Sequence, residues 1–138
     1  MFQKVHVIWE LYDGVRSGIA DYNELPHYFK CIFDGDYTDR FELYPISEST
    51  LDLAIEQWEI FREWESKYHR GHEVIANHPA GPNGNERYCN IESILKEIIS
   101  QLGDPVVIAI PQFEVLPGQD DLPDGILRKM SVRWEKVT

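Results

Sequence analysis

The sequence predicts an α+β fold, an antiparallel sheet of about six strands in the order β-β-β-β-α-α-β-β, covered on one side by a helical pair. Three observations carry this expectation. Short runs of period-two alternation, divided by turn signals, fill the first 46 residues. Two longer runs then place apolar residues at the 3.6 spacing of amphipathic helices, and the chain closes on two further β-prone runs. Parallel strands would need β-α-β crossovers, and this order offers few. A sheet and two helices with one apolar face each are most simply buried against one another.

Residues 4–12 read as the first strand, with Val5, Val7, Trp9 and Leu11 alternating with His6, Ile8, Glu10 and Tyr12. Asp13-Gly14 is a hairpin signal, because glycine accepts positive φ without a Cβ penalty. Residues 17–22 form a second strand, Asn23-Glu24 turns the chain, and Pro26 opens a third strand to about Asp34 with Phe29, Cys31 and Phe33 on one side. A polar turn from Asp34 to Asp39 leads to a fourth strand, Phe41 to Ile46. Ser49 and Asp52 suggest a capping box with Asp in place of Glu. Leu51, Ala54, Ile55, Trp58, Phe61 and Tyr68 then follow the helical period, with Trp64 near the stripe's border. Lys67, His69 and Arg70 suit the negative end of the macrodipole, and Gly71 suits the C′ position. Residues 72–85, rich in Pro, Gly and Asn, form a loop. A second helix runs from about Glu86 to Leu102, with Tyr88, Ile91, Leu95, Ile98 and Leu102 on one face. The strand from Val106 to Leu116 carries Pro111, which predicts an edge position or a bulge. Met130, Val132 and Trp134 alternate in the last strand.

The 138 residues fit a single globular domain, 1–138, and 43% hydrophobic composition is enough for a core without disulfides or metal. The net charge of −11 contains no basic stripe and disfavours phosphate backbones and anionic lipid, so neither nucleic acid nor membrane is an expected partner. No run of apolar residues is long enough to span a bilayer. The first 12 residues lack a signal-peptide h-region, and Cys31 and Cys89 have no metal or redox spacing; a reducing cytoplasm is the expected location. No cofactor is expected: the chain has no phosphate-binding glycine loop, GxSxG, CxxC or HExxH.

Two constellations stand out. The first joins Arg16, Asp21 and His27 with the aromatic residues Trp9 and Tyr12, which could wall a ligand pocket. An imidazole beside a guanidinium and a carboxylate can carry acid–base chemistry; the competing reading is a salt-bridged hairpin. The second is His69, His72 and His78, three imidazoles within ten positions, which are candidate zinc ligands although the spacing is not that of HExxH. Asp34, Asp36 and Asp39 depart from the EF-hand pattern, as do Asp120, Asp121 and Asp124, and both groups read as solvated turns.

The run Trp9-x-x-Tyr12-Asp-Gly-x-Arg-Ser-Gly-Ile-Ala-Asp21 with Pro26-His27, Trp58-x-x-Phe61-Arg62 and Leu116-Pro-Gly-Gln-Asp120 resembles an uncharacterised family of small bacterial proteins. The resemblance implies a bacterial cytoplasmic protein and brings no activity or site with it. The expected function is a binding or protein-interaction module for a basic partner, one form being an immunity-type protein that neutralises a basic toxin. The alternative is a small-molecule enzyme or ligand-binding domain centred on Arg16, Asp21 and His27. An edge strand or exposed Trp64 would support a homodimer.

Overall fold

In the computed structural model, residues 1–11, 13–32, 39–123 and 125–137 are described. Six strands and two helices follow the predicted order: β1 (Gln3–Leu11), β2 (Val15–Tyr22), β3 (Leu25–Cys31), β4 (Phe41–Pro45), α1 (Glu48–His69), α2 (Glu86–Ser100), β5 (Val107–Val115) and β6 (Met130–Lys136). Every ladder is antiparallel. The expected open sheet is corrected in one decisive respect: β6 also pairs with β1, so the strands close into a barrel in the order β1-β2-β3-β4-β5-β6. The predicted third-strand end near Asp34 lies outside the described residues.

Alternating strands with one apolar face would suit an open sheet. Here β1 instead buries adjacent residues on opposite sides, with Val7 fully buried against the helices and Ile8 inside the barrel. Bulges produce this arrangement. The β1–β2 partners step from Val5↔Ala20 to Val7↔Ile19, and from Ile8↔Gly18 to Glu10↔Ser17, so His6 and Trp9 are extra residues on β1. Each bulge increases the local twist and re-aims side chains. Val5 therefore packs on the barrel interior and Val7 on the helical side, although they are two residues apart. Twist accumulated over six strands brings β6 round to β1.

The lumen is solid. Phe29, Phe41, Phe113 and Trp134 meet one another at centroid separations of 5.7–6.2 Å, with no parallel sandwich among them. Small residues make room: a Cβ added to Gly18 would stand 2.1 Å from the Val7 carbonyl oxygen and 3.0 Å from Phe29 Cζ. The two tight turns use left-handed backbone at Asp13 (φ 50°) and Gly14 (φ 99°), and at Asn23 (φ 51°) and Glu24 (φ 64°). Glu24, the costlier choice there, is held by its N–H donating to Gln3 Oε1 at 2.8 Å. Pro111 sits opposite Trp134 on β6 but lies beyond the β4 ladder, which covers only Val107–Ala109. Its missing N–H thus falls on a locally unpaired side, which is the edge condition its sequence predicted.

Outside the barrel, Leu51 and Ala54 of α1 and Ile91 and Leu95 of α2 pack on Val7 and Ile19. Ser47, not Ser49, caps α1, its hydroxyl accepting from Thr50 N at 3.1 Å. Asn85 caps α2 in the same way, accepting from Tyr88 N at 2.8 Å. Phe61 and Tyr68, although on the helical period of Leu51 and Ala54, lie outside the two core clusters. The last turns of α1 pass beyond the barrel, where Phe61, Trp64 and Tyr68 form a half-buried stack with His78 of the following loop. Trp58 is the member of that stripe that touches both cores. No helix among the described residues is long and apolar enough to cross a membrane.

Candidate functional site

The aromatic cluster fills the lumen, and a cleft opens where β1 meets β6. β1 and β6 are partnered only at Gln3↔Val132 and Lys4↔Ser131. Over this short seam, α1 on one side and Leu116 with Arg128 to Ser131 on the other enclose a cleft of about 770 Å³. Its apolar wall includes Phe2, Val5, Ile55, Trp58, Leu116 and Met130. Such a size and lining suit a small organic ligand.

His6 brings polarity to this wall. It is the extra residue of the first bulge and its side chain is only 10% exposed. Nε2 lies 2.8 Å from Asp21 Oδ1, and Asp21 is itself anchored where its backbone oxygen accepts the Trp134 indole N–H at 3.1 Å. A carboxylate can only accept, so the neutral ring carries its proton on Nε2 and leaves Nδ1 as an acceptor. Nδ1 is buried and has no hydrogen-bond partner among the described residues. Burying such a nitrogen unsatisfied costs about 1–3 kcal/mol, so it is a natural anchor for a donor on a ligand. An Asp-held imidazole with a buried acceptor nitrogen can bind a ligand's donor or act as a general base; among the described residues it is bonded to Asp21.

Four cationic side chains line the cleft, Lys4, Arg62, Arg128 and Lys129, against one carboxylate, Glu59. Arg62 is paired with Glu65 at 2.5 Å and lies over the Trp58 ring. Arg128 holds the loop by donating to the backbone oxygens of Leu122, Pro123 and Ile126 at 2.7–3.2 Å, and among the described residues it meets carbonyls and no carboxylate. Among the described residues Lys4 and Lys129 form no ion pair.

The sequence-derived constellation is divided by the fold. Asp21 contributes to the cleft through His6. His27 is a ladder partner of Ala20 and follows the inward parity of Phe29; it is 5% exposed and its Nδ1 bonds to the Leu25 carbonyl at 2.8 Å. Arg16 stands at the other end of β2, donating to Asp13 O at 2.6 Å and to Cys31 Sγ at 3.6 Å. The three do not converge. Tyr12 lies outside the described residues. Trp9 faces the helical side, 5.8 Å from the Tyr28 ring, and both line a shallower groove of about 300 Å³ with Glu10, Tyr88, Glu92 and Lys96. The Tyr28 phenol is pushed up to about 12 by burial and by Glu10, so it stays neutral. Of the histidines, His78 packs on Trp64 and accepts from Ala80 N at 3.0 Å, His69 packs edge-on to Tyr68, and His72 is exposed. Among the described residues no three His, Cys, Asp or Glu side chains gather as a metal site.

His6 is the residue that periodicity missed, since it reads as one polar position on a mixed face. A two-residue Asp13–Gly14 turn would put His6 opposite Asp21, but the ladder departs from that register at Leu11↔Val15, and the contact is made by His6 as the extra residue of a bulge. Comparison with known proteins gives no match to a family model, a curated protein or a solved structure.

Proposed function

We propose that this protein binds a small organic molecule in the cleft between α1 and the β1–β6 seam. The ligand's apolar body lies against Ile55, Trp58 and Met130, and a polar group meets His6. The observation that carries this reading is the buried, partnerless His6 Nδ1 in the wall of a largely apolar cavity. It retains Asp21 from the ligand-binding alternative read in the sequence and replaces Arg16 and His27 with His6. A cytoplasmic, bacterial setting belongs to the same reading.

Filling the cleft tests it. The neutral dye N-phenyl-1-naphthylamine should gain fluorescence on binding the native protein, and Ile55→Trp should abolish at least nine-tenths of the gain without changing the far-ultraviolet spectrum. Met130→Trp, from the opposite wall, is the second variant. Undiminished dye binding in both variants would place the dye elsewhere and refute the cleft as the site.

A second reading, a basic protein partner, is favoured by the groove in which Trp9 and Tyr28 stand beside Glu10 and Glu92, with Tyr44 stacked on Tyr28 at 5.7 Å. Aromatic faces flanked by carboxylates suit Lys or Arg side chains. Oligolysine at low salt should then shift the Trp9 indole resonance and leave Trp64 in place, and Glu10→Gln with Glu92→Gln should remove the shift. An unmoved Trp9 resonance refutes this reading.

A further inference from the structure

The cleft's electrostatics are opposite to those of the whole chain. The protein carries 24 acidic and 13 basic side chains. Yet among the described residues the cleft is lined by four of the bases and one of the acids. Glu65, behind Arg62, offsets one of the four, and Glu59 another. Lys4 and Lys129 remain without carboxylate partners among the described residues, and Arg128 is fixed in position by three backbone carbonyls. Lys4 lies on one side of the seam and Lys129 directly precedes β6 on the other. An acidic protein that concentrates unpaired cations around an apolar cavity has a local field that favours an anion over the general repulsion of its surface.

We infer that the ligand is a free amphiphilic organic anion, with a carboxylate or similar head at Lys4, Arg128 and Lys129, an apolar body along Trp58, Ile55 and Met130, and a hydrogen-bond donor on that body at His6. The inference rests on the cleft being the binding site and adds the class of its occupant. A monomeric anion fits better than a membrane, because the remaining surface of a chain with net charge −11 repels anionic lipid.

Three ligands of equal chain length separate the possibilities: dodecanoate, dodecanol and dodecylammonium, each kept below its aggregation concentration and titrated calorimetrically. Dodecanoate should bind at least tenfold more tightly than dodecylammonium, and its affinity alone should fall as salt is raised. The exposed pair Lys4→Gln and Lys129→Gln should weaken dodecanoate about tenfold and leave dodecanol within twofold. Ile55→Trp should abolish all three. Equal binding of the three, lost together in Ile55→Trp, would leave the cleft as a ligand site and overturn the anion inference. No binding by any of them, with N-phenyl-1-naphthylamine also unbound, would overturn both. Binding to phosphatidylglycerol vesicles without binding of monomeric dodecanoate would also overturn the inference.

Discussion

Replacing Gly18 with alanine should destabilise the protein by about 3 kcal/mol or more, enough to unfold a large fraction of a marginal domain. The reason is geometric. The new Cβ would fall 2.1 Å from the Val7 carbonyl oxygen and 3.0 Å from Phe29 Cζ. The first neighbour is backbone within the β1–β2 ladder and the second belongs to the four-ring cluster that fills the lumen. Neither can retreat cheaply: moving Val7 opens its packing against α1 and α2, and moving Phe29 disturbs three other rings. Urea denaturation should show a lower midpoint. An unfolding free energy within about 0.5 kcal/mol of the native protein's would mean that the strands can separate at Gly18, contrary to a tightly closed barrel.

Glu65→Ala is the second change of large expected effect, about 3 kcal/mol. Glu65 is 3% exposed, an unusual position for a carboxylate. It is held by Arg62 at 2.5 Å and by the Leu127 N–H at 3.3 Å, so it ties α1 to the loop that forms the far wall of the cleft. Removing it leaves a guanidinium that is only 22% exposed without its counter-ion and releases the loop. Glu65→Gln keeps an acceptor for Leu127 and should lose less. Replacing both Arg62 and Glu65 with leucine should recover most of the stability, because the cost comes from the charge left behind more than from the pair lost. If Glu65→Ala and the double variant are equally unstable, the buried charge is not the cause.

The contrast between elements shows what the sequence can disclose about this fold. Local chemistry located them: alternation around Phe29, the 3.6 spacing of Leu51, Ala54 and Trp58, and turn residues at Asp13-Gly14 and Asn23-Glu24 are all signals within a few residues. Closure was not legible, because it depends on a pairing between Gln3–Lys4 and Ser131–Val132, at opposite ends of the chain. Apolar residues on both faces of β1, Val7 and Ile8, were the one hint that this strand has neighbours on two sides. The candidate site was half legible. Asp21 drew notice through its charge, but its partner His6 depends on a bulge, and bulges have no periodicity to detect. Arg16 and His27 were grouped with Asp21 by proximity in sequence, while strand alternation and length carried them to other places.

The shortness of the β1–β6 seam bears on how the chain folds. The hairpins β1–β2 and β2–β3 can form from neighbouring residues, whereas the seam must wait for the whole chain and carries the largest loop-closure cost. It adds only two pairs of ladder partners, so this joint belongs to the low-stability end of the native state's local openings. Phe2 to Ile8 on one side, and Leu116 with Arg128 to Ser131 on the other, contribute to the cleft wall. An occupant of the cleft would therefore act as a clasp on the last joint to form, and its binding energy would slow amide exchange at Gln3 and Lys4 before it altered any other part of the barrel.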